Sequence, residues 1–278
     1  MASGLTGTKG GSGVWQRIIS EMPLHRVYIE PFWGRGTIAR LKRPAGITIG
    51  IDLDPAAVSR GRGLGALMFL ADGLQWLADY FAGPAAPDRD AAGRVAGSNG
   101  FGRAHIDRPT PEDAAAAGAA RNSVSVRAAT FGGVPWPEHF VYLDPPYLGC
   151  RDHYRFELTF EQHRELCRLF RGLPCPAALS GYHSGLYAAE LSDVRSTEIP
   201  TVNRAGQRVT EVLWMNYPPP ARYHDVRFVG SDRRVRERIR RRVKNWRCGL
   251  SRMTPQERQA VYEACEGEFR VAALPTEN

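Results

Sequence analysis

Short apolar runs alternating with helical stretches constrain this chain more than any other feature. Residues 26–32 (RVYIEPF), 46–54 (GITIGIDLD) and 66–72 (ALMFLAD) each read as a strand, and the third leads into GLQWLADYF, whose apolar spacing is helical. The pattern resumes at residue 139 with HFVYLD, then a helix FEQHRELCRLFRGL opened by the capping-box pair Thr159 and Gln162. A fifth strand, CPAALSGY, and a short helix, GLYAAEL, follow. Strands separated by helices predict a mostly parallel sheet with helices on its faces. The segments DVRSTEIP and EVLWMNYP, joined by TVNRAGQRVT with no helix between them, read instead as a terminal antiparallel pair.

Two regions depart from this pattern. Residues 83–137 turn to Ala, Gly, Pro, Asp and Arg, with too few apolar side chains for a core, and read as an insertion or long loop that is at least partly a disordered linker. The segment 232–248 (DRRVRERIRRRVKNWRC) holds nine basic and two acidic residues, so its net +7 accounts for nearly all of the chain's +8. Such a run suits either a nucleic-acid surface or a solvated arginine-rich helix. Val235, Ile239, Val243, Trp246 and Leu250 recur on one side of it, and Thr254, Pro255 and Glu257 cap a following helix, QERQAVYEAC. The tail is therefore expected to be a helical hairpin whose apolar stripe packs on a neighbour. This divides the chain into a catalytic unit, 1–220, interrupted by the insertion 83–137, and a basic helical extension, 221–278.

With 43% hydrophobic residues in 278, the chain can bury a sizeable core. No run is long and apolar enough for a bilayer, and the N-terminus lacks the hydrophobic segment of a signal peptide, so a soluble intracellular protein is expected. Cys150, Cys167, Cys175, Cys248 and Cys265 are odd in number and dispersed, with no CxxC pair or nearby histidine at zinc spacing. They argue for a reducing compartment and no metal. His163 is assigned to a helix face, and Trp76, Trp214 and Trp246 to packing.

The chemistry is concentrated where predicted strands end. Gly34 and Gly36 follow the first strand, where glycine lets the backbone turn tightly and approach a ligand closely. Asp52 ends the second strand about twenty residues on, where a carboxylate can accept hydrogen bonds from ribose hydroxyls, and Asp72 ends the third. Each alone is ordinary turn chemistry; together they suggest an adenosine-containing ligand. Neither GxGxxG nor GxxxxGK[ST] is present, which favours a nucleoside without a pyrophosphate. The fourth strand stops at Asp144 because Pro145 and Pro146 cannot donate to a sheet ladder. Taken alone, Asp144-Pro145-Pro146-Tyr147 would be a turn.

In order along the chain, TGTKGGSGVWQRIISEMP, YIEPFWGRG, GIDLDP, LDPPYLG, TFEQH and TEVLWMNYP resemble the Dam-like, phage-type adenine-specific DNA methyltransferases that carry a DPPY motif. The resemblance spans residues 5–82 and 138–220. It implies a Rossmann-like S-adenosylmethionine-dependent methyltransferase fold, double-stranded DNA as partner, and a bacterial cell or phage-infected host, in the setting of restriction-modification. Carried over, it sets Lys9, Glu30, Pro31, Phe32, Gly34 and Gly36 against the cofactor, Asp52 and Leu53 by its ribose, and Asp72 by its adenine. Asp144 and the Pro145 carbonyl, freed by the Pro146 ring, would bind the target amine, and Tyr147 would stack on the target base. The family's aromatic and glycine are replaced by Leu5 and Thr8, and its target-recognition region falls in the Ala/Gly-rich insertion. DNA contacts are therefore expected from Arg151, His153, Tyr154 and Arg155, from Arg204, Gln207 and Arg208, and from the basic helix with Arg233 and Arg240.

The motif has a chemical logic. The adenine amine lone pair is delocalised into the ring, so two acceptors that take both amine hydrogens favour a pyramidal nitrogen and stabilise its developing positive charge. The base must leave the duplex at a cost of a few kcal/mol, and stacking worth roughly 1–3 kcal/mol offsets part of that. Two alternatives stay open on the sequence: a cytosine amino methyltransferase, which needs the same acceptors, and a catalytically silent DNA-binding module of the same fold.

Overall fold

The computed structural model describes residues 13–81, 136–149, 156–202 and 206–271, with side chains described as far as residue 265. The insertion, except its last two residues, and Lys9, Arg151, His153, Tyr154, Arg155 and Arg204 lie outside the described residues.

Seven strands form one sheet: β1 Val27–Glu30, β2 Ile47–Asp52, β3 Leu67–Leu70, β4 His139–Leu143, β5 Ala177–Tyr182, β6 Arg195–Val202 and β7 Arg208–Met215. Their order is β3-β2-β1-β4-β5-β7-β6. The first five are parallel, while β7 runs antiparallel to both β5 and β6. This is the mostly parallel, Rossmann-like sheet with helices on its faces that the strand and helix pattern predicts, with its terminal antiparallel pair. The chain starts β1 in mid-sheet, moves outward to β3 and returns to β4 beside β1, so strand order reverses between β1 and β4 and opens a crevice at their carboxyl ends.

Both faces are covered, which is why β1 and β4 are buried along their whole length. On one face, helices α1 (Val14–Glu21) and α2 (Thr37–Leu41) bring Val14, Ile18, Ile19, Met22 and Ile38 onto Tyr28, Phe140, Tyr142 and Leu213. Nearby, helix α3 (Pro55–Gly63) packs Ala57 and Val58 against Trp33 and Met68. On the other face α4 (Gly73–Phe81), α5 (Phe160–Gly172) and α6 (Gly185–Glu190) bury Leu74, Leu77, Leu166, Phe170 and Tyr187 against Ile29, Ile51, Val141 and Leu179. Each such side chain contributes about 1.5–3 kcal/mol relative to exposure, enough to fix the register of the site-bearing strands. The predicted capping box opens α5: Gln162 N–H donates to Thr159 Oγ1 at 3.2 Å and Thr159 N–H to Gln162 Oε1 at 2.8 Å.

The C-terminal extension is fastened at the opposite, amino edge of the sheet. Leu24 N–H donates to the Arg222 carbonyl at 2.9 Å, His224 N–H to the Met22 carbonyl at 3.0 Å, and Arg43 N–H to Asp225 Oδ2 at 2.8 Å. Helix α7 (Arg233–Ser251) then leaves this anchor, and α8 (Pro255–Val271) follows. The expected packing of α7 is not what the structure shows. Among its residues only Arg236 is buried, whereas Val243 and Trp246 are 52% and 59% exposed. The cause is where α7 joins the body: the turn Val226–Phe228 meets its first turns, and Arg236 folds against Gly230, while the rest projects beyond any described surface that could cover the stripe. Trp246 is thus corrected from a packing residue to an exposed one, whereas Trp76 and Trp214 are buried in the core.

Candidate active site

Two strand tips meet at the crevice. Ile29 is in register with Val141, so residues 31–36 after β1 and 144–147 after β4 emerge side by side. After β1 the chain turns through Gly34 and Gly36, both left-handed at φ +50° and +58°. Trp33, buried beneath, forces the second glycine, because a Cβ at Gly36 would sit 2.6 Å from its ring. At Gly34 a Cβ would meet nothing within 4 Å; this residue instead borders open space at the rim.

Asp52, at the end of β2, ties the turn to the neighbouring tip. Its Oδ2 accepts from Gly34 N–H at 2.7 Å and its Oδ1 from Asp54 N–H at 2.8 Å. Burial raises its pKa, and those two amide bonds oppose the rise. Leu53 is exposed beside it, Pro31 is buried and Phe32 is half-buried against the core. Asp72 Oδ1 accepts from Leu74 and Gln75 N–H, both at 2.9 Å, so it caps α4. Gly73 beside it lets α4 start against the first tip, since a Cβ there would collide with the Pro31 carbonyl oxygen. An open glycine turn flanked by a half-buried carboxylate suits a ligand carrying a ribose.

Glu30 lies under this rim. It is 3% exposed, and the Tyr28 hydroxyl donates to its Oε2 at 2.9 Å. Burial pushes its pKa well above the usual carboxylate range; the Tyr28 bond opposes this, and the charge of Asp144 adds to it. Lys42 Nζ sits 4.2 Å from the centre of the Tyr28 ring, its pKa lowered by burial to about 8 although Glu30 and Asp225 pull the other way. The floor between α2 and β1 thus holds a compact set of buried polar groups.

Past β4, Asp144 is half-buried, Pro145 buried, and Pro146 and Tyr147 half-buried. Asp144 is close enough to Tyr28, Glu30 and Tyr142 for its charge to raise the pKa of all three, after burial as the main cause at each. Tyr142 is held within the sheet by a 2.8 Å bond with Ser180. The Tyr147 hydroxyl donates to Glu211 Oε2 at 3.3 Å, and its ring meets Tyr182 edge-on at 4.6 Å.

The crevice therefore brings together Gly34, Gly36, Asp52, Asp72 and the 144–147 segment. Arg208 starts β7 at an exposed position, while Arg233, exposed and paired with Glu237 at 2.8 Å, and Arg240 lie on α7. Helix α7 instead leaves the body from the anchor at the amino edge of the sheet, opposite the crevice. Tyr182 and Glu211 escaped the sequence reading. Tyr182 ends a predicted strand, the same signal that marks Asp144, but Glu211 reaches the crevice only through the antiparallel register that sets it opposite Tyr182.

No family model and no curated relative matches the chain. Among solved structures it is similar to the precorrin 8w decarboxylase of Methanobacterium thermoautotrophicum, with 12% identity over 77% of this chain and 94% of that one and a TM-score of 0.38. It is also similar to the 23S rRNA methyltransferase ErmE (12%, 78% and 71%, TM-score 0.38) and to an rRNA methylase from Streptococcus thermophilus (9%, 72% and 91%, TM-score 0.34). These likenesses are distant, and the fold rests on the strand order and directions of the sheet itself. Among the described residues, no helix is long and apolar enough to cross a membrane, and no group of three or more His, Cys, Asp or Glu could hold a metal ion.

Proposed function

We propose that this protein transfers a methyl group from S-adenosylmethionine to the exocyclic amino group of adenine in double-stranded DNA. The observation that carries the reading is the half-buried Asp144, followed by two prolines and Tyr147, beside the glycine turn that Asp52 ties down. Gly34 and Asp52 would hold the cofactor's ribose end, with Asp72 at the adenine. When bound, the cofactor supplies an electrophilic methyl group on sulfonium. The protein's own part is to activate a poor nucleophile. Asp144 and the Pro145 carbonyl accept the two amine hydrogens, localise the nitrogen lone pair and stabilise the positive charge that grows on nitrogen. Because Asp144 is half-buried beside the buried Tyr28, Glu30 and Tyr142 and not in bulk water, that stabilisation is less screened than it would be in solvent. Tyr147 supplies an aromatic face for the extruded base. The exposed arginines of α7 would neutralise phosphates and add affinity without reading sequence.

Mass spectrometry of nucleosides from mixed-sequence DNA treated with the protein and S-adenosylmethionine tests this directly. N6-methyladenine is expected; methylated cytosine or no transfer would sink the proposal. Asp144→Ala should lower the transfer rate by about 10²–10³-fold, as for the loss of one preorganised group of an oxyanion hole, while calorimetry finds the cofactor bound as in the wild type. A wild-type rate in that variant refutes the role of Asp144.

A further inference from the structure

Tyr147 sits in a turn without regular structure, four residues past the end of β4 by way of Asp144 and two prolines. An aromatic ring held only by its own backbone would have to be ordered by the incoming base, which costs roughly two- to tenfold in affinity for one side chain. Here the ring is met from outside its own loop at two points. Its hydroxyl reaches Glu211 Oε2 at 3.3 Å, and the Tyr182 ring meets it at 4.6 Å with the planes 72° apart. The two partners are themselves fixed to each other, because Tyr182 on β5 and Glu211 on β7 face one another in register across the antiparallel pair. Both are half-buried, and the carboxylate of Glu211 is near enough to the strand bearing the site to act on the buried Tyr142 phenol.

We propose that Glu211 is a positioning residue for the target base: it holds Tyr147 by the phenol oxygen, with Tyr182 as lateral stop, so that one face of the ring is presented at a set angle. This rests on the reading of Asp144–Tyr147 as the methyl-acceptor pocket. It explains why a tyrosine and not a phenylalanine serves here, since only the hydroxyl can reach a carboxylate on β7. At 3.3 Å the bond is long for a hydroxyl donor, as is common in sites that have not closed on substrate. The sheet, not the loop, thereby sets the plane of stacking.

A double-mutant cycle with Tyr147→Phe and Glu211→Ala, with mixed-sequence DNA and mixed-sequence RNA as probes, tests the assignment. Each single change should raise KM for the nucleic acid about two- to tenfold with a smaller effect on kcat. The double variant should be no worse than the worse single one, and Glu211→Gln, which keeps an acceptor oxygen, should restore most of the wild-type KM. Losses that multiply, or a glutamine variant as poor as the alanine one, would show that Glu211 acts otherwise than through Tyr147 and overturn the inference while leaving methyl transfer standing. Wild-type protein that methylates neither probe overturns the underlying reading as well. Should Glu211→Ala melt early, Glu211→Leu, which keeps the buried volume, takes its place in the same cycle with the same criteria.

Discussion

Asp52 answers to two backbone amides at once, and that double duty shapes what its ionisation can do. Its oxygens hold Gly34 N–H and Asp54 N–H, and burial raises its pKa from the ordinary value of 3.8. Only the ionised form offers both oxygens as acceptors to a ribose as well as to the amides. Cofactor affinity should therefore be constant at neutral pH and fall as pH drops through the raised pKa, earlier than for an ordinary aspartate. Stability moves differently. A carboxyl whose folded pKa is raised binds its proton more tightly in the folded state, so Asp52 adds no loss of stability on acidification. Asp52→Asn should weaken cofactor binding about 10–100-fold, the range for a hydrogen bond to a charged group, with the acid-side decline removed. Calorimetry from about pH 7 down to about 5, which brackets the approach to a raised carboxyl pKa, checks both; unchanged affinity in the variant would remove Asp52 from the site. At this scale the sequence is most legible at strand tips, where a polar residue ends an apolar run, as at Asp52, Asp72 and Asp144. It names Glu30 only as a cofactor contact and does not reveal its burial under the rim beside Tyr28, and it is silent on Glu211, whose neighbours come from a register no local pattern encodes.

Helix α7 marks the limit of periodicity as a guide to packing. The spacing of Val235, Ile239, Val243, Trp246 and Leu250 identifies a helix with an apolar stripe, and Thr254 with Glu257 marks the start of α8, whose capping bonds measure 2.7 and 3.3 Å. Strands β1, β2, β4 and β5 are equally readable, because a strand with both faces covered must be a short apolar run whatever it packs against. Which surface covers a stripe is a property of the assembled molecule, and here the stripe is exposed at Val243 and Trp246 and only half-buried at Val235, Ile239 and Leu250. The 19 residues of α7 extend on the order of 28 Å, so the arginines form a charged rod that can follow a phosphate backbone. Removing residues 231–278 should therefore lower DNA affinity and reduce the slope of log affinity against log salt by about 0.9 for each phosphate the rod would neutralise. The melting temperature should change little, since of α7 only Arg236 is buried. An unchanged salt slope would deny the rod any role in holding DNA.

The whole molecule is closed by a contact between its two regions that the sequence hid entirely. His25, just before β1, and His224, in the extension, stack face to face with centroids 3.7 Å apart, and both rings are buried at the amino edge of the sheet. Each keeps one nitrogen in a bond, His25 Nδ1 with the Pro23 carbonyl and His224 Nε2 with the Arg43 carbonyl, both at 2.8 Å. The remaining nitrogens, His25 Nε2 and His224 Nδ1, are buried without a hydrogen-bond partner among the described residues. Burial lowers both pKa values. The charges of Lys42 and His224 add to the fall at His25 and those of Lys42 and Arg43 at His224, while Asp225 opposes it at the latter. A histidine with a depressed folded pKa takes up its proton more readily when unfolded, so the unfolded chain gains protons first as pH falls below about 6.5. Stability should thus be full above that value and decline below it until the folded-state pKa is reached, by up to about 1.4 kcal/mol per pH unit for each histidine. Urea unfolding at about pH 7.5, 6.5, 6.0 and 5.5, spanning the unfolded histidine pKa, reads the slope. His163, whose pKa burial also lowers, contributes in parallel, so the comparison that isolates the contact is with His224→Phe. That variant keeps a ring to stack on His25 but has nothing to protonate, and its stability should fall with acid by about one proton less than the wild type, whatever its stability near neutral pH. Identical slopes would mean that the seam between extension and sheet opens without either histidine titrating.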